Sequence, residues 1–259
     1  MSAAPPILEA RALHLRVGEK LVCRDLNLSV QRGQRWGVLG MNGVGKTSLL
    51  LALAGLKAPL AGSVHLQGTP LSELPRREAA QICGVMFQDS DDAFPASVLE
   101  TALIGRHPHL HAWQWESTED EAIARAALQA VGLADFAQRE TNTLSGGERR
   151  RLALATLLTQ DTALMLLDEP VNHLDLHHQI AALELLTLQV AQHGKTIVMV
   201  LHDVNLAARY CDALLLLFGN GEVEQGSVHA ILNPENLSRL YGHPVRSVKT
   251  PEGALFYPA

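Results

Sequence analysis

Gly40-Met41-Asn42-Gly43-Val44-Gly45-Lys46-Thr47 decides the fold. The octet matches the pattern G-x-x-x-x-G-K-[ST] at every fixed position. Residues 36–39 before it are apolar enough for a strand, and residues 48–53 after it continue as a helix. A strand, a glycine-rich loop and a helix in that order is the setting in which this motif holds phosphate. Gly43 and Gly45 allow consecutive backbone N–H groups to turn inward, and the N-terminus of the helix adds partial positive charge. Lys46 is expected to reach the β- and γ-phosphates of a nucleoside triphosphate, and the Thr47 hydroxyl to ligate Mg²⁺. Gly40, Met41, Asn42, Val44 and Ser48 complete the expected phosphate-binding segment.

Downstream of this loop, residues 163–167, 196–201 and 213–218 form short, nearly all-aliphatic runs. Runs of this kind suit parallel strands covered on both faces. Between the first two, Leu176, Ile180, Leu183, Leu186 and Val190 recur at helical spacing, so strand, helix and strand read as a βαβ unit. The first run ends in Asp168-Glu169-Pro170, which places two carboxylates at the carboxyl edge of the sheet, where open α/β sheets bind ligands. Asp168 is expected to enter the Mg²⁺ shell, and Glu169 to act as general base on the attacking water. The second run ends in Leu201-His202-Asp203. His202 is therefore expected at the same edge, contacting the γ-phosphate and orienting water.

Upstream, Leu13, Leu15 and Val17 alternate with His14 and Arg16, and Leu26, Leu28 and Val30 alternate with Asp25, Asn27 and Ser29. Period-two patterning predicts half-buried antiparallel strands. From about residue 89 to residue 150 the strand signals vanish, and 97–104 and 118–131 read as helices, with Gly132 as the stop after the second. The expected fold is α/β. Its phosphate-loop core has a mostly parallel sheet, with an N-terminal antiparallel β subdomain and an inserted α-helical subdomain. The core takes residues 1–88 and 151–218, the insertion about 89–150, and a C-terminal extension 219–259.

Bulk composition narrows the role of the 259 residues. Hydrophobic residues make up 47% and aromatics only 4%, so aliphatic side chains must fill the core. A net charge of −6 argues against a nucleic-acid binder that works by bulk charge. Cys23, Cys83 and Cys211 lack metal-ligand spacing and read as reduced thiols. The opening MSAAPPILEA shows neither a basic nor a long apolar region, so no signal peptide is expected. The apolar runs fall well short of the ~20 residues that cross a bilayer, so membrane association is expected through a partner. His107, His109 and His111 alternate without an acid or Cys at ligand spacing, which suits a solvated loop shaped by Pro108 better than a metal site.

Residues 144–148 read Leu-Ser-Gly-Gly-Glu, between the phosphate loop and the acidic strand. With the other motifs this resembles the signature of ABC ATPases, and the resemblance runs over nearly the whole chain. It implies an ATPase that uses ATP and Mg²⁺. Gln88, in Val-Met-Phe-Gln, stands where the family has its Q-loop glutamine, which senses Mg²⁺ and contacts the membrane partner. Asn172-His173-Leu174-Asp175 looks like the D-loop, with Asp175 crossing to a second subunit. Ser145, Gly146, Gly147 and Glu148 would belong to the nucleotide site of that second subunit, so a homodimer is implied. Glu148 replaces the family's usual Gln. The family also usually carries an aromatic near Val17 to stack on adenine, and Leu15-Arg16-Val17-Gly18-Glu19-Lys20 contains none.

Gly105-Arg106-His107-Pro108-His109 and Leu240-Tyr241-Gly242-His243-Pro244-Val245 are similar to segments in the importers of ferric siderophores, haem and cobalamin. The resemblance implies transmembrane permease subunits, a separate substrate-binding protein, and a peripheral place on the cytoplasmic face of the inner membrane. Zinc, manganese or molybdate-type importers are alternatives. So is a non-transport ABC ATPase, although those acting on ribosomes carry two ATPase domains and those acting on DNA ends carry a long coiled coil. Only one phosphate loop and no heptad array occur here.

Overall fold

The computed structural model describes residues 5–87, 96–111, 113–251 and 253–259. It divides into two compact units, one running up to Leu74 and resuming over Thr196–Ala259, the other Pro75–Lys195. Gln88 lies outside the described residues.

The first unit opens with β1 (Leu8–Val17) and β2 (Lys20–Val30), an antiparallel pair. β3 (Arg35–Gly40) leads into α1 (Lys46–Leu53), and β4 (Ala61–Leu66) and β5 (Thr69–Pro70) follow. The N-terminal sheet runs β2-β1-β4-β5. Its inward face does not keep one phase. Leu8 and Ala10 are buried, then Ala12 adopts φ 45° and the buried set shifts to Leu13 and Leu15. The extra residue is held by its N–H, which donates to Asn27 Oδ1 at 2.8 Å. This is a β-bulge in a two-strand pairing. Val17, at the hairpin tip, is 38% exposed and is not a core residue.

In the second unit, α2 (Arg76–Ile82) runs into β6 (Cys83–Met86), and α3 (Val98–Leu103), α4 (Thr118–Ala130) and α5 (Gly146–Gln160) follow. Next come β7 (Leu164–Leu167) and α6 (Leu176–His193). α3, α4 and α5 each begin with a reciprocal capping box: Ser97 with Glu100, Ser117 with Asp120, and Ser145 with Glu148. Gly132, at φ 70°, stops the turn after α4, and Arg151 donates to the last carbonyls there, of Val131 and Gly132, at 3.0 and 3.2 Å. α3 gives way to a 3₁₀ turn at Ile104–His109. A side chain at Gly105 would meet the Thr156 carbonyl at 2.3 Å, so glycine permits the close approach to α5. β6 and β7 are parallel, and all four residues of β7 are buried.

The chain then returns to the first unit with β8 (Thr196–Val200), α7 (Val204–Tyr210), β9 (Ala213–Leu217) and β10 (Val223–Ser227). It closes with α8 (Val228–Ile231), α9 (Pro234–Tyr241), β11 (Val245–Thr250) and β12 (Gly253–Pro258). β3 is paired in parallel with β8 on one side and β9 on the other, and β10 is antiparallel to β9. Every residue of β8 and β9 is buried, which explains why their sequences are apolar but for Thr196. Each leucine so buried contributes about 1.5–3 kcal/mol. The fold is thus mixed α/β, with parallel strands at the phosphate loop and an antiparallel N-terminal sheet. Among the described residues no helix is long and apolar enough to cross a membrane.

Candidate nucleotide site

The phosphate loop is shaped by glycines in conformations that side chains rarely adopt. Gly43 sits at φ 69° and Gly45 at φ 108°. A Cβ on Gly45 would stand 2.5 Å from Val22, so strand β2 closes the space behind the loop. The loop leads into α1, whose first turn holds no acid, so nothing on that turn neutralises the positive end of the helix. Lys46 is only 5% exposed, and its ammonium donates to the carbonyls of Gly40 at 2.8 Å and Met41 at 3.1 Å. The lysine therefore folds back over its own loop. Thr47 and Ser48 follow at half-buried positions, while Met41, Asn42 and Gly43 are exposed at the mouth.

His202 follows β8, the parallel neighbour of β3. Val38 pairs with Val200, and the Leu201 N–H donates to the Val38 carbonyl at 3.2 Å. The loop after β3 and the histidine after β8 therefore leave the sheet at the same edge. Asp203 fixes the exit by capping α7, accepting from the N–H groups of Asn205 at 2.7 Å and Leu206 at 3.0 Å.

The second unit brings the acidic strand end, the signature and the D-loop segment together. Asp168 and Glu169 follow β7 and are 1% and 8% exposed. Glu169 adopts φ 52°, and Asn172 donates to its carboxylate. The signature forms the start of α5. Ser145 Oγ accepts from the Glu148 N–H at 3.3 Å, and the Glu148 carboxylate accepts from the Ser145 N–H at 2.7 Å. The Ser145 main-chain N–H, and after it the Ser145 hydroxyl, hold the Glu148 carboxyl below the usual range. The position of a Cβ on Gly147 lies 3.5 Å from the His173 carbonyl and from Leu174, so the signature turn abuts the D-loop segment. Asp175 caps α6 through the His178 N–H at 2.9 Å, a bond that lowers its carboxyl pKa.

Two residues absent from the sequence-based set are central to this arrangement. Arg150, 7% exposed on α5, donates to the carbonyls of Phe87 at 2.6 Å and Glu169 at 2.5 Å, and also to that of Asp168. It ties the signature helix to the acidic strand end and to the residue before Gln88. Its position five residues after Ser145 was the available signal, but an arginine in a basic helical run reads as surface. Asn172 was visible in the D-loop segment, yet nothing in its spacing marks it as the partner of Glu169. Among the described residues no three His, Cys, Asp or Glu side chains converge on a possible metal position. His109 instead bonds the Gln160 carbonyl at 2.8 Å.

A glycine-cradled lysine at a helix start, with a histidine at the same sheet edge, suits a phosphate-loop nucleoside triphosphatase. The family profile described as ABC transporter matches residues 23–172, more than half of the chain. The chain belongs to this family, as an ATP-hydrolysing, nucleotide-binding subunit. Curated relatives 32–40% identical include ATP-binding proteins for ferric siderophore, hemin and cobalamin import. One is the hemin import ATP-binding protein HmuV of Pseudomonas entomophila, 40% identical over 95% of this chain and 96% of its own. Among solved structures, an inward-facing metal-chelate type ABC transporter superposes with a TM-score of 0.85 at 29% identity, covering 98% of this chain and 97% of that one. The dimeric post-hydrolysis cassette MJ0796, bound to ADP and Pi, gives 0.73 at 25% identity, covering 85% and 98%.

Proposed function

We propose that this chain is the motor subunit of an importer for ferric siderophore, haem or cobalamin, working as a homodimer on transmembrane permease subunits at the cytoplasmic face of the inner membrane. A separate substrate-binding protein would deliver the cargo. The observation that carries the reading is the phosphate loop, with buried Lys46 folded over a glycine cradle at an uncompensated helix start. The hemin, siderophore and cobalamin import relatives support the cargo class, and the dimeric cassette supports two-fold assembly.

Thr47, Asp168 and Gln88 would hold Mg²⁺, which supplies charge neutralisation to the phosphates. The donor set fits: a hydroxyl and a carboxylate are hard oxygen ligands. Lys46 binds the β- and γ-phosphates. Glu169 takes a proton from the attacking water, and Asn172 holds its carboxylate in place. His202 contacts the γ-phosphate. Ser145, Gly146 and Gly147 of one subunit bind the nucleotide held by the other, using N–H groups of the first turn of α5. Asp175 crosses to the other subunit at that junction, and the Glu148 carboxylate holds the Ser145 turn. The inserted helical subdomain, about residues 89–150, would meet the permease together with Gln88. Nucleotide-driven closure then biases a two-state membrane partner.

The test is a pull-down. Glu169→Gln is expressed in the native host, held in MgATP and recovered from solubilised membranes. Co-recovery of a multi-spanning permease of the siderophore, haem or cobalamin kind is the expected outcome. Recovery of ribosomes, DNA or no membrane protein removes the importer reading and leaves the ATPase.

A further inference from the structure

The turn that links β1 to β2 is Gly18-Glu19, and Lys20 follows it. The Lys20 ammonium donates to the carbonyl of Gly43, in the middle of the phosphate loop, at 2.8 Å. Its Cε lies 4.0 Å from where a Cβ on Gly219 would stand, and that same position is 3.2 Å from a methyl of Val44. The lysine stem therefore runs across the loop beside Gly219. Its head is exposed, and among the described residues no carboxylate pairs with it. The neighbouring tip residue Val17 is 38% exposed and has no π-face. The hairpin thus presents a second cation to the phosphate loop and no aromatic surface to a base.

We infer that Lys20 is a nucleotide-binding residue and that the site recognises a nucleoside triphosphate through its polyphosphate, without selecting the base. The inference rests on the nucleotide-binding reading above. An ammonium held on a neutral carbonyl at the loop mouth has a stronger alternative in an anionic phosphate oxygen, because charge-assisted hydrogen bonds outweigh neutral ones. Moving from Gly43 to such an oxygen costs only rotations of a flexible four-carbon stem. Base selection by stacking needs a flat aromatic face, and an isopropyl group on Val17 offers none to distinguish purine from pyrimidine.

Calorimetric titration of the full chain with MgATP, MgGTP, MgCTP and magnesium tripolyphosphate tests this, with Lys20→Met, Lys20→Arg and Val17→Tyr beside the parent. The parent is expected to bind the three nucleotides within about threefold of one another, since base contacts contribute little. Lys20→Met keeps the stem and removes the charge. It should weaken all three nucleotides and tripolyphosphate alike by about tenfold, and Lys20→Arg should restore most of the loss. Val17→Tyr should tighten the nucleotides and leave tripolyphosphate unchanged. A parent preference for ATP over CTP above about tenfold would overturn the inference, because a group that reads the base must then exist. So would unchanged tripolyphosphate binding in Lys20→Met, or a lowered melting temperature of that variant without nucleotide, which would make Lys20 a brace for the loop. Loss of all binding in the parent would instead defeat the nucleotide reading itself.

Discussion

Arg150 donates a hydrogen bond to the main-chain carbonyl of Glu169 at 2.5 Å. One side chain on the signature helix thereby sets the backbone of the residue assigned as general base. Glu169 adopts φ 52°, a conformation costly for a residue with a Cβ, so its surroundings must hold it there. Arg150→Ala leaves several buried carbonyls without this donor, which should destabilise the protein by about 3 kcal/mol and abolish turnover. Arg150→Lys keeps the charge but lacks the planar fork, so it should recover stability only in part. Urea unfolding monitored alongside ATPase activity checks both; a parent-like midpoint for the alanine variant would contradict the role.

Gly45 is the second structural test. Its φ of 108° and the 2.5 Å distance from a would-be Cβ to Val22 together forbid any side chain. Gly45→Ala must push the loop away from β2, and nucleotide affinity should fall by two orders of magnitude or more, roughly, on the scale of a misplaced binding group. The double variant Gly45→Ala with Val22→Ala opens the clash and should recover part of the affinity. Equal affinity in Gly45→Ala and the parent would mean that the loop has slack the structure does not reveal.

The phosphate loop and the contacts that link separate motifs differ in how much of them the sequence discloses. The phosphate loop is contiguous, and its glycines, lysine and threonine have chemistry that follows from spacing alone. Ser145 and Glu148 entered through the resemblance to the ABC signature, and the structure adds the reciprocal bonds by which they cap α5. The links between motifs were not. Arg150 meets Glu169 across 19 positions, and only the folded chain sets that distance. The bulge at Ala12 was hidden for a different reason. Alternation in Leu13, Leu15 and Val17 suggests one inward face, but the positive φ at Ala12 and its bond to Asn27 reset the phase upstream, and the hairpin tip leaves Val17 exposed. Nothing in the spacing of Lys20 marks its contact with the phosphate loop, which only the folded hairpin makes.

Acid stability should report the Arg106–Asp120 pair, in which the ions are 2.7 Å apart and nearly buried. Asp120 is pushed down to about 2, chiefly by its bonds from Ser117 and then from Arg106. A carboxyl whose folded pKa lies below its unfolded value stabilises the protein above the unfolded value, near 4, and loses that contribution as pH falls toward 2. The parent should therefore lose stability between pH 4 and pH 2 more steeply than Asp120→Asn, and at neutral pH the variant should be the less stable of the two. Denaturant midpoints measured across that range check the slope, and parallel curves for the two proteins would contradict the assignment.

The most direct test of the account is nucleotide binding and turnover in Glu169→Gln. The glutamine keeps the shape and can still pair with Asn172, but it cannot accept a proton at ordinary pH. ATP affinity should stay within about threefold of the parent, while single-turnover hydrolysis falls by about 10²–10⁴-fold. Parent-like turnover in Glu169→Gln would contradict the central claim, because the proton from the attacking water would then leave through another group.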